Sequence, residues 1–380
     1  MKTLKGIWPT IIVIIISAAL IFIYTSMKEP DPSQAVYEKA RVIKVTEEKL
    51  SSDNIIPGLL IGTQELELEL TSGNHKGEVH KARNSLSRLY NIRTKPGMEL
   101  IVNLEVQDGT VKNVYVHNYK RDNVIYILAA LFILVLIIVG GVNGLKSAVS
   151  LLFTCVMIIC FMLPSILRGG SPILLAIITV SVTTVVSFYL ISGWNRKTLA
   201  AILGTVSGVV AAGIISYTAG QFAHLSGLTM EESEQLIYIA ADAYINIKGL
   251  MFAAILIASL GAINDVGMSI ASSIFEIHKA NSKLNSRELF TSGMNVGKDI
   301  MGMMSNTLIL AFAGGSLNMM LLIMALKMPY HQLINLDLVC TEVVQGIAGS
   351  IGIVLTIPIT AAIAVLLIRD KGKEQMRIKK

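Results

Sequence analysis

Apolar residues fall in long uninterrupted blocks over most of this chain, with short polar connections between them. The blocks lie at 11–24, 124–141, 147–164, 172–192, 198–219, 249–263, 300–324 and 347–368. About twenty residues of α-helix cross the hydrocarbon layer of a bilayer, so the pattern predicts about eight membrane-spanning helices. The first block follows Lys2, Lys5 and Trp8, as either a secretory leader or an anchor would. The chain runs straight on through Met27-Lys28-Glu29-Pro30 with no small-x-small cleavage signal, so we read an uncleaved anchor.

Between the first and second blocks the period changes. Glu65-Leu-Glu-Leu-Glu-Leu70 alternates strictly, Leu100 to Val106 does so in part, and Val111-Lys-Asn-Val-Tyr-Val116 is rich in β-branched residues. Alternation of this kind is the mark of half-buried strands. Asp108-Gly109 is a two-residue hairpin signal between the last two runs, and Arg41-Val-Ile-Lys-Val45 is a further candidate strand. The expectation is a small antiparallel barrel or sandwich over 28–122, large enough for a modest core of its own.

Composition agrees with the pattern. The side chains are 53% apolar and only 15% charged, with a mean hydropathy of +0.64, outside the usual range of a soluble globular chain. Three cysteines are too few for a disulfide scaffold, and the lack of long polar tracts argues against a disordered chain.

The formal charge of +6 raises the question of nucleic acid. Its distribution answers differently. If the N-terminus is cytoplasmic, the short inner segments hold Lys2, Lys5, Lys146, Arg196, Lys197, Lys279, Lys283, Arg287, Lys298 and the basic tail from Arg369 to Lys380, whereas the short outer loops hold only Arg168, Lys248 and Lys327. That asymmetry is the positive-inside signature. Segment 28–122 carries fourteen basic and fourteen acidic residues, so it presents no net basic charge and no nucleic-acid partner is expected.

Two outer connections read alike. Thr229-Met-Glu-Glu232 is a capping box opening a helix through Ile237 towards Ile245, and Leu333 to Val344 forms a second amphipathic stretch carrying Asp337 and Glu342. An outward span, an outer helix and an inward span thus recur at 198–263 and 296–368, an internal duplication of a kind common in transporters. Beyond the sixth block one continuous amphipathic helix leaves the membrane, carrying Gly261, Asn264, Asp265, Ser269 and Glu276. Asn295, Asp299, Gly302 and Asn306 then form a second polar stripe at helical spacing into the seventh block.

Two readings of these stripes stand. Asp265, Asp299 and Asn306, with Asn264, Ser269 and Asn295, can line a substrate or ion pathway, because an ionisable group inside a membrane bundle costs about 2.5 kcal/mol or more on insertion scales. They can equally be interfacial structure, Asp299 capping a helix or pairing with Lys298 or Lys279 at little cost. Glu342 and Gln345, at the outer entry to the last block, are a second candidate pair, with simple solvent exposure as the alternative. Gly314-Gly315 and Pro358 are candidate break points in the last two spans. The small-residue pair Gly293 and Gly297, and Gly346, Gly349 and Gly352, offer thin surfaces for helix contact.

Catalytic chemistry finds little support. There is no phosphate-cradling glycine loop with Lys-Ser/Thr, no His-Glu-x-x-His, no Gly-x-Ser-x-Gly and no Cys-x-x-Cys. His75, His80 and His117 match no standard ligand spacing, and Cys155, Cys160 and Cys340 read as small apolar residues. No enzyme activity, metal or cofactor is expected.

Gly261-Ala-Ile-Asn-Asp-Val-Gly-Met-Ser-Ile-Ala-Ser-Ser273 and Glu288-Leu-Phe-Thr-Ser-Gly-Met-Asn-Val-Gly-Lys-Asp-Ile-Met-Gly-Met-Met-Ser-Asn-Thr-Leu-Ile-Leu-Ala311 resemble the YibE/F-like family of bacterial multi-pass membrane proteins. The resemblance extends over most of the chain, including the N-terminal anchor and the outer domain, and is loosest in 28–62. It implies a bacterial cytoplasmic membrane protein, and that Asp265, Ser269, Ser273, Asn295, Asp299, Gly302, Asn306 and Thr307 belong to a shared pattern. It implies no activity and no catalytic residues.

The expected organisation is an anchor at 1–27, an extracytoplasmic β-rich domain at 28–122, a seven-helix transmembrane domain with amphipathic connecting helices at 123–369, and a basic cytoplasmic tail at 370–380. The fold class is an all-α transmembrane bundle carrying a small β-rich domain after its first span. Two functions are open. One is a transporter or permease; the other is a non-enzymatic envelope assembly or scaffold protein acting through its outer domain. The partners expected are the lipid bilayer and either an envelope protein or a second copy of the chain.

Overall fold

The computed structural model describes residues 2–26, 36–107, 109–229, 233–239 and 245–378, with side chains from Trp8 to Arg369 apart from those at 234, 237 and 239. Contacts divide the chain into two units, 28–135 and the remainder.

The first unit is built on five antiparallel strands: β1 (Val36–Ser52), β2 (Leu60–Leu70), β3 (Val79–Leu86), β4 (Glu99–Gln107) and β5 (Thr110–Tyr119). Their order is β3-β2-β1-β4-β5, and the outer strands β3 and β5 touch, so the sheet curls towards closure. The seventeen-residue β1 makes this curl, because residues 36–41 pair with β4 while 40–52 pair with β2. Register shifts between Val42 and Lys44 and between Val45 and Glu47 mark the bend, as bulges do. Alternation turns Leu66, Leu68 and Leu70 of β2 and Leu100, Val102 and Leu104 of β4 inward onto Ala40 and Val42.

Arg41–Val45 is therefore the middle of a longer strand, and β3 is a strand that alternation did not predict. Its inward positions are Ala82, Asn84 and Leu86, of which the first is too small and the second too polar to signal a buried face. Asn84 belongs to a buried polar knot. The Gln64 side-chain oxygen accepts from Asn84 Nδ2 at 3.1 Å and from the Thr94 N–H and hydroxyl at 3.0 Å. Gln64 Nε2 donates to Thr94 O at 3.1 Å, and Asn84 Nδ2 to Ile92 O at 2.7 Å. The knot ties the connection between β3 and β4 to the sheet with its polar atoms paired, which is what burial of such atoms requires. Asp108 of the expected hairpin turn lies outside the described residues; Gly109 follows it with φ +75°, and Gln107 pairs with Thr110.

In the second unit, α1 (Lys2–Ser26) packs through Val13 against Phe153, Met157 and Leu190. A run of 46 residues, Asp122–Leu167, joins α2 (Asp122–Val156), a π-helical turn (Met157–Met162) and α3 (Leu163–Leu167). It breaks at Gly141, whose φ of 56° and ψ of −131° favour glycine. Gly144 lies so close to the Leu136 carbonyl that a Cβ there would overlap it. Eight residues of straight helix would separate them by about 12 Å, so the chain doubles back at Gly141, between the blocks expected at 124–141 and 147–164.

The bundle continues with α4 (Pro172–Ser192), α5 (Arg196–Phe222), the short α6 (Ser233–Ile239) and α7 (Ile247–Ala280). It ends with α8 (Ser286–Gly315), α9 (Leu317–Ala325), α10 (Tyr330–Ile334) and α11 (Asp337–Ile378). Among the described residues six helices are long and apolar enough to cross a membrane, or seven with the bent pair α8–α9 counted as one span. α7 is continuous for 34 residues, as its amphipathic extension predicted. Residues 230–232 of the capping box and 240–244 of its helix lie outside the described residues.

The second outer helix is corrected. The stretch 333–344 is not one separate element, because α10 ends at Ile334, where Asn335 Nδ2 bonds back to His331 O at 2.7 Å, and Asp337 already opens the 42-residue α11. Nor does Pro358 break that helix, which is packed along α5, α7 and α8.

α5–α6–α7 and α8/α9–α10–α11 repeat the same order of elements. α5 and α8 each pack on both α7 and α11, and α7 packs on α11. Asn195 caps α5 by accepting from Thr198 N at 2.9 Å; Asn285 caps α8 by accepting from Glu288 N at 3.0 Å.

Candidate functional site

The site with the clearest shape begins where α8 gives way to α9. The two helices meet at 60° around Gly315 and Ser316. Gly314 and Gly315 have no atom within 4 Å of a built Cβ, so nothing packed holds the helix straight there. The bend opens a cavity of about 530 Å³ between α8, α9 and α11, lined by Phe312, Met319, Met320, Met324, Val343 and Gly346 among others. Unbranched methionine side chains adapt to differently shaped apolar groups.

Among the described residues Glu342 is the one charged residue in that lining. It is half-buried on α11 and makes no hydrogen bond or ion pair among the described residues. Its neighbour one turn on, Gln345, is buried. The expectation of simple solvent exposure is therefore corrected for both: α11 is already helical at Asp337 and turns these residues onto the bundle. Ser226 anchors this end by donating to Asp337 Oδ2 at 2.6 Å. The arrangement can hold an apolar body with one donor or positive charge set against the carboxylate.

The inner stripe residues are placed differently. Asp265 and Ser269 on α7, and Asn295, Asp299 and Asn306 on α8, are all exposed. Among the described residues no hydrogen bond or ion pair joins any of them to another, and Asp299 pairs with neither Lys298 nor Lys279. Gly261 and Gly302, on the same faces, have open space where a side chain would be. Asn264 alone is engaged: its side-chain oxygen accepts from the buried Thr184 hydroxyl on α4 at 3.1 Å.

The seam that holds the bundle is foreseen at Gly352 but missed at Gly204, Gly208 and Gly267. Gly204 and Gly208 of α5 lie against Thr360 and Thr356 of α11, each so close that a Cβ would overlap the threonine hydroxyl. Gly352 meets Ala212, with 2.6 Å from its built Cβ, and Gly267 of α7 meets Thr205. The spacing Gly204-x-x-x-Gly208 was the available signal. The expected pair Gly293 and Gly297 does pack, against Ile274 and Ile357.

In the β-rich unit, His75 and His80 are not freely solvated. His75 Nδ1 lies 3.0 Å and His80 Nε2 2.8 Å from the two oxygens of Glu78, and those bonds hold the Glu78 carboxyl below its ordinary range. No group of three metal-binding side chains is found among the described residues. All three cysteines are free.

No curated protein and no solved structure matches the chain. The family model described as YibE/F-like protein matches residues 128–370, which leaves α1 and the five strands, where the resemblance is expected to continue, outside the match and takes in α4 to α10 and α11 as far as residue 370. On that match, more than half its length, the chain belongs to the YibE/F-like family.

Proposed function

We propose that this chain is a permease-like protein of the bacterial cytoplasmic membrane whose substrate is an amphiphile, apolar in body and bearing a cationic or donor group. The observation that carries the reading is the almost wholly apolar cavity at the α8–α9 bend with Glu342 as its one charge. A carboxylate without a partner in apolar surroundings is costly, and a bound cation or donor relieves that cost. A broken span beside such a cavity is a recurrent feature of transporter sites.

Division of the 46-residue run at Gly141, with the bent pair as one span, yields eight crossings. Both ends then lie on one side, which the basic residues make the cytoplasm, with the five strands outside. The exposed polar face with Asp265, Ser269, Asn295, Asp299 and Asn306 suits a water-lined inner end of the route. No catalytic step is assigned to it.

The test is equilibrium binding of radiolabelled tetraphenylphosphonium, an apolar cation, to the purified protein, followed by its flux in proteoliposomes. Binding that falls at least tenfold in Glu342→Gln and persists in Glu342→Asp is expected. Equal binding by Glu342→Gln, or none by the parent protein, sinks the reading.

A second reading, a non-enzymatic envelope scaffold, draws on a shallow apolar hollow of about 560 Å³ on the β-rich unit, lined by Ile61, Leu86 and the 82% exposed Leu89. Photocrosslinking from position 89 that yields one defined protein partner would favour it over transport.

A further inference from the structure

A cavity of about 800 Å³ with none of the lining of the Glu342 cavity lies where α5 and α8 begin and where α7 and the apolar part of α11 run out. Among the described residues four cationic side chains line it, Arg196, Lys197, Lys279 and Arg369, against one carboxylate, Glu276. Arg196 is a brace, since its Nη1 donates to Leu367 O at 2.8 Å and ties α5 to α11. Lys279 reaches Glu276 only at 3.8 Å, and both side chains are largely exposed, so this pair neutralises little. His278 lines the same cavity, and its Nδ1 is buried with no hydrogen-bond partner among the described residues.

The backbone adds to the side chains. Asn195 to Lys197 and Asn285 with Ser286 bring the first turns of two long helices to the cavity wall, and helix starts carry partial positive charge. Apart from Ser282 the remaining lining, with Phe275, Leu289 and Leu367, is apolar. A concave wall that combines excess positive charge with an apolar flank suits a phosphate group with something oily beside it.

We propose that this cavity binds a phosphate-bearing anion, held by Lys197, Lys279 and Arg369. The phosphate can belong to an anionic lipid headgroup or to a soluble phosphate compound. The inference does not rest on the permease reading, because binding here needs no flux and does not involve Glu342.

The test uses the full chain in detergent micelles, with native mass spectrometry against phosphatidylglycerol and phosphatidylcholine, and thermal unfolding in inorganic phosphate and in chloride at equal ionic strength. At least a fivefold preference for phosphatidylglycerol with no phosphate-specific rise in Tm identifies a headgroup. A phosphate-specific rise in Tm identifies a soluble ligand. Lys197→Gln/Arg369→Gln should abolish either response, and the charge-conserving Lys197→Arg/Arg369→Lys should keep it. Should the neutral pair fail to fold, Lys279→Gln, on a largely exposed side chain, must weaken binding at least threefold. Lys298→Gln, outside the cavity, must leave it unchanged. No preference and no Tm response in the parent protein, or responses that survive loss of the basic side chains, overturn the proposal.

Discussion

Gly208 on α5 and Thr356 on α11 are in direct contact, with the threonine hydroxyl where a side chain on residue 208 would begin. The hydroxyl is also committed within its own helix, donating to Gly352 O at 2.7 Å. Two helices can approach this closely only when one presents no side chain, and where lipid supplies little hydrophobic drive such packing is a main source of association. Gly208→Ala is therefore expected to destabilise the bundle by about 1–3 kcal/mol, the usual range for overpacking. Thermal unfolding in detergent reads the loss, and Gly208→Ala/Thr356→Ala should regain part of it. A single variant as stable as the parent would show that the seam has slack.

The buried knot of the β-rich unit makes a separate prediction. Gln64→Leu leaves the Thr94 N–H and one of the two Asn84 amide hydrogens without their acceptor, and each buried group left unpaired costs about 1–3 kcal/mol. Hydrogen exchange of the Ile92–Thr94 amides in the intact chain should accelerate. Unchanged protection there would mean that water replaces the lost acceptor.

Two carboxyls give this unit a pH dependence. Asp53 is held below its ordinary range, first by the Ile56 N–H and then by Arg88, whose Nε lies 2.6 Å from it, and by the Ile55 N–H. Glu78 is held down by His75 and His80. A folded-state pKa below the unfolded value adds stability that is complete above the unfolded value and is lost as pH falls through the folded one. The β-rich unit should thus weaken as pH drops below about 4, near the unperturbed carboxyl pKa values. Asp53→Asn should flatten that slope in pH-dependent unfolding; a slope as steep as the parent's would assign the effect elsewhere.

Orientation is checkable by cysteine labelling in a background lacking Cys155, Cys160 and Cys340. Lys81→Cys, on an exposed position of β3, should react with an impermeant maleimide in intact cells. Arg287→Cys, exposed at the start of α8, should react only after permeabilisation. The reverse pattern would invert the topology.

Asp265 and Asp299 are exposed and unbonded among the described residues, so replacing either with Asn should change stability by no more than about 0.5 kcal/mol. Loss of flux at normal folded yield would then mark a role in the route. Loss of folded protein instead would make them structural.

The reach of the sequence can be judged from particular residues. Glu65 to Leu70 announces its strand because every second residue is leucine, whereas β3 stays hidden because Asn84 faces inward and is satisfied by Gln64 and Ile92, partners distant in sequence. The break at Gly314-Gly315 was among the two expected, but the equally plain signal of Pro358 was overridden by packing of α11 along three neighbours. Gln345 and Glu342 looked solvent-exposed because the start of α11 was placed too late.

The order of apolar blocks, the excess of basic residues in one set of loops and the alternating segment are properties of the chain taken locally, and these by themselves determined a set of apolar helices of membrane-crossing length and a strand-rich unit. The tertiary structure alone decided which glycines meet which threonines, where Glu342 lies and which basic side chains share a cavity. Those are distances between segments far apart in sequence, and periodicity along one helix states which face is apolar without stating what that face will meet.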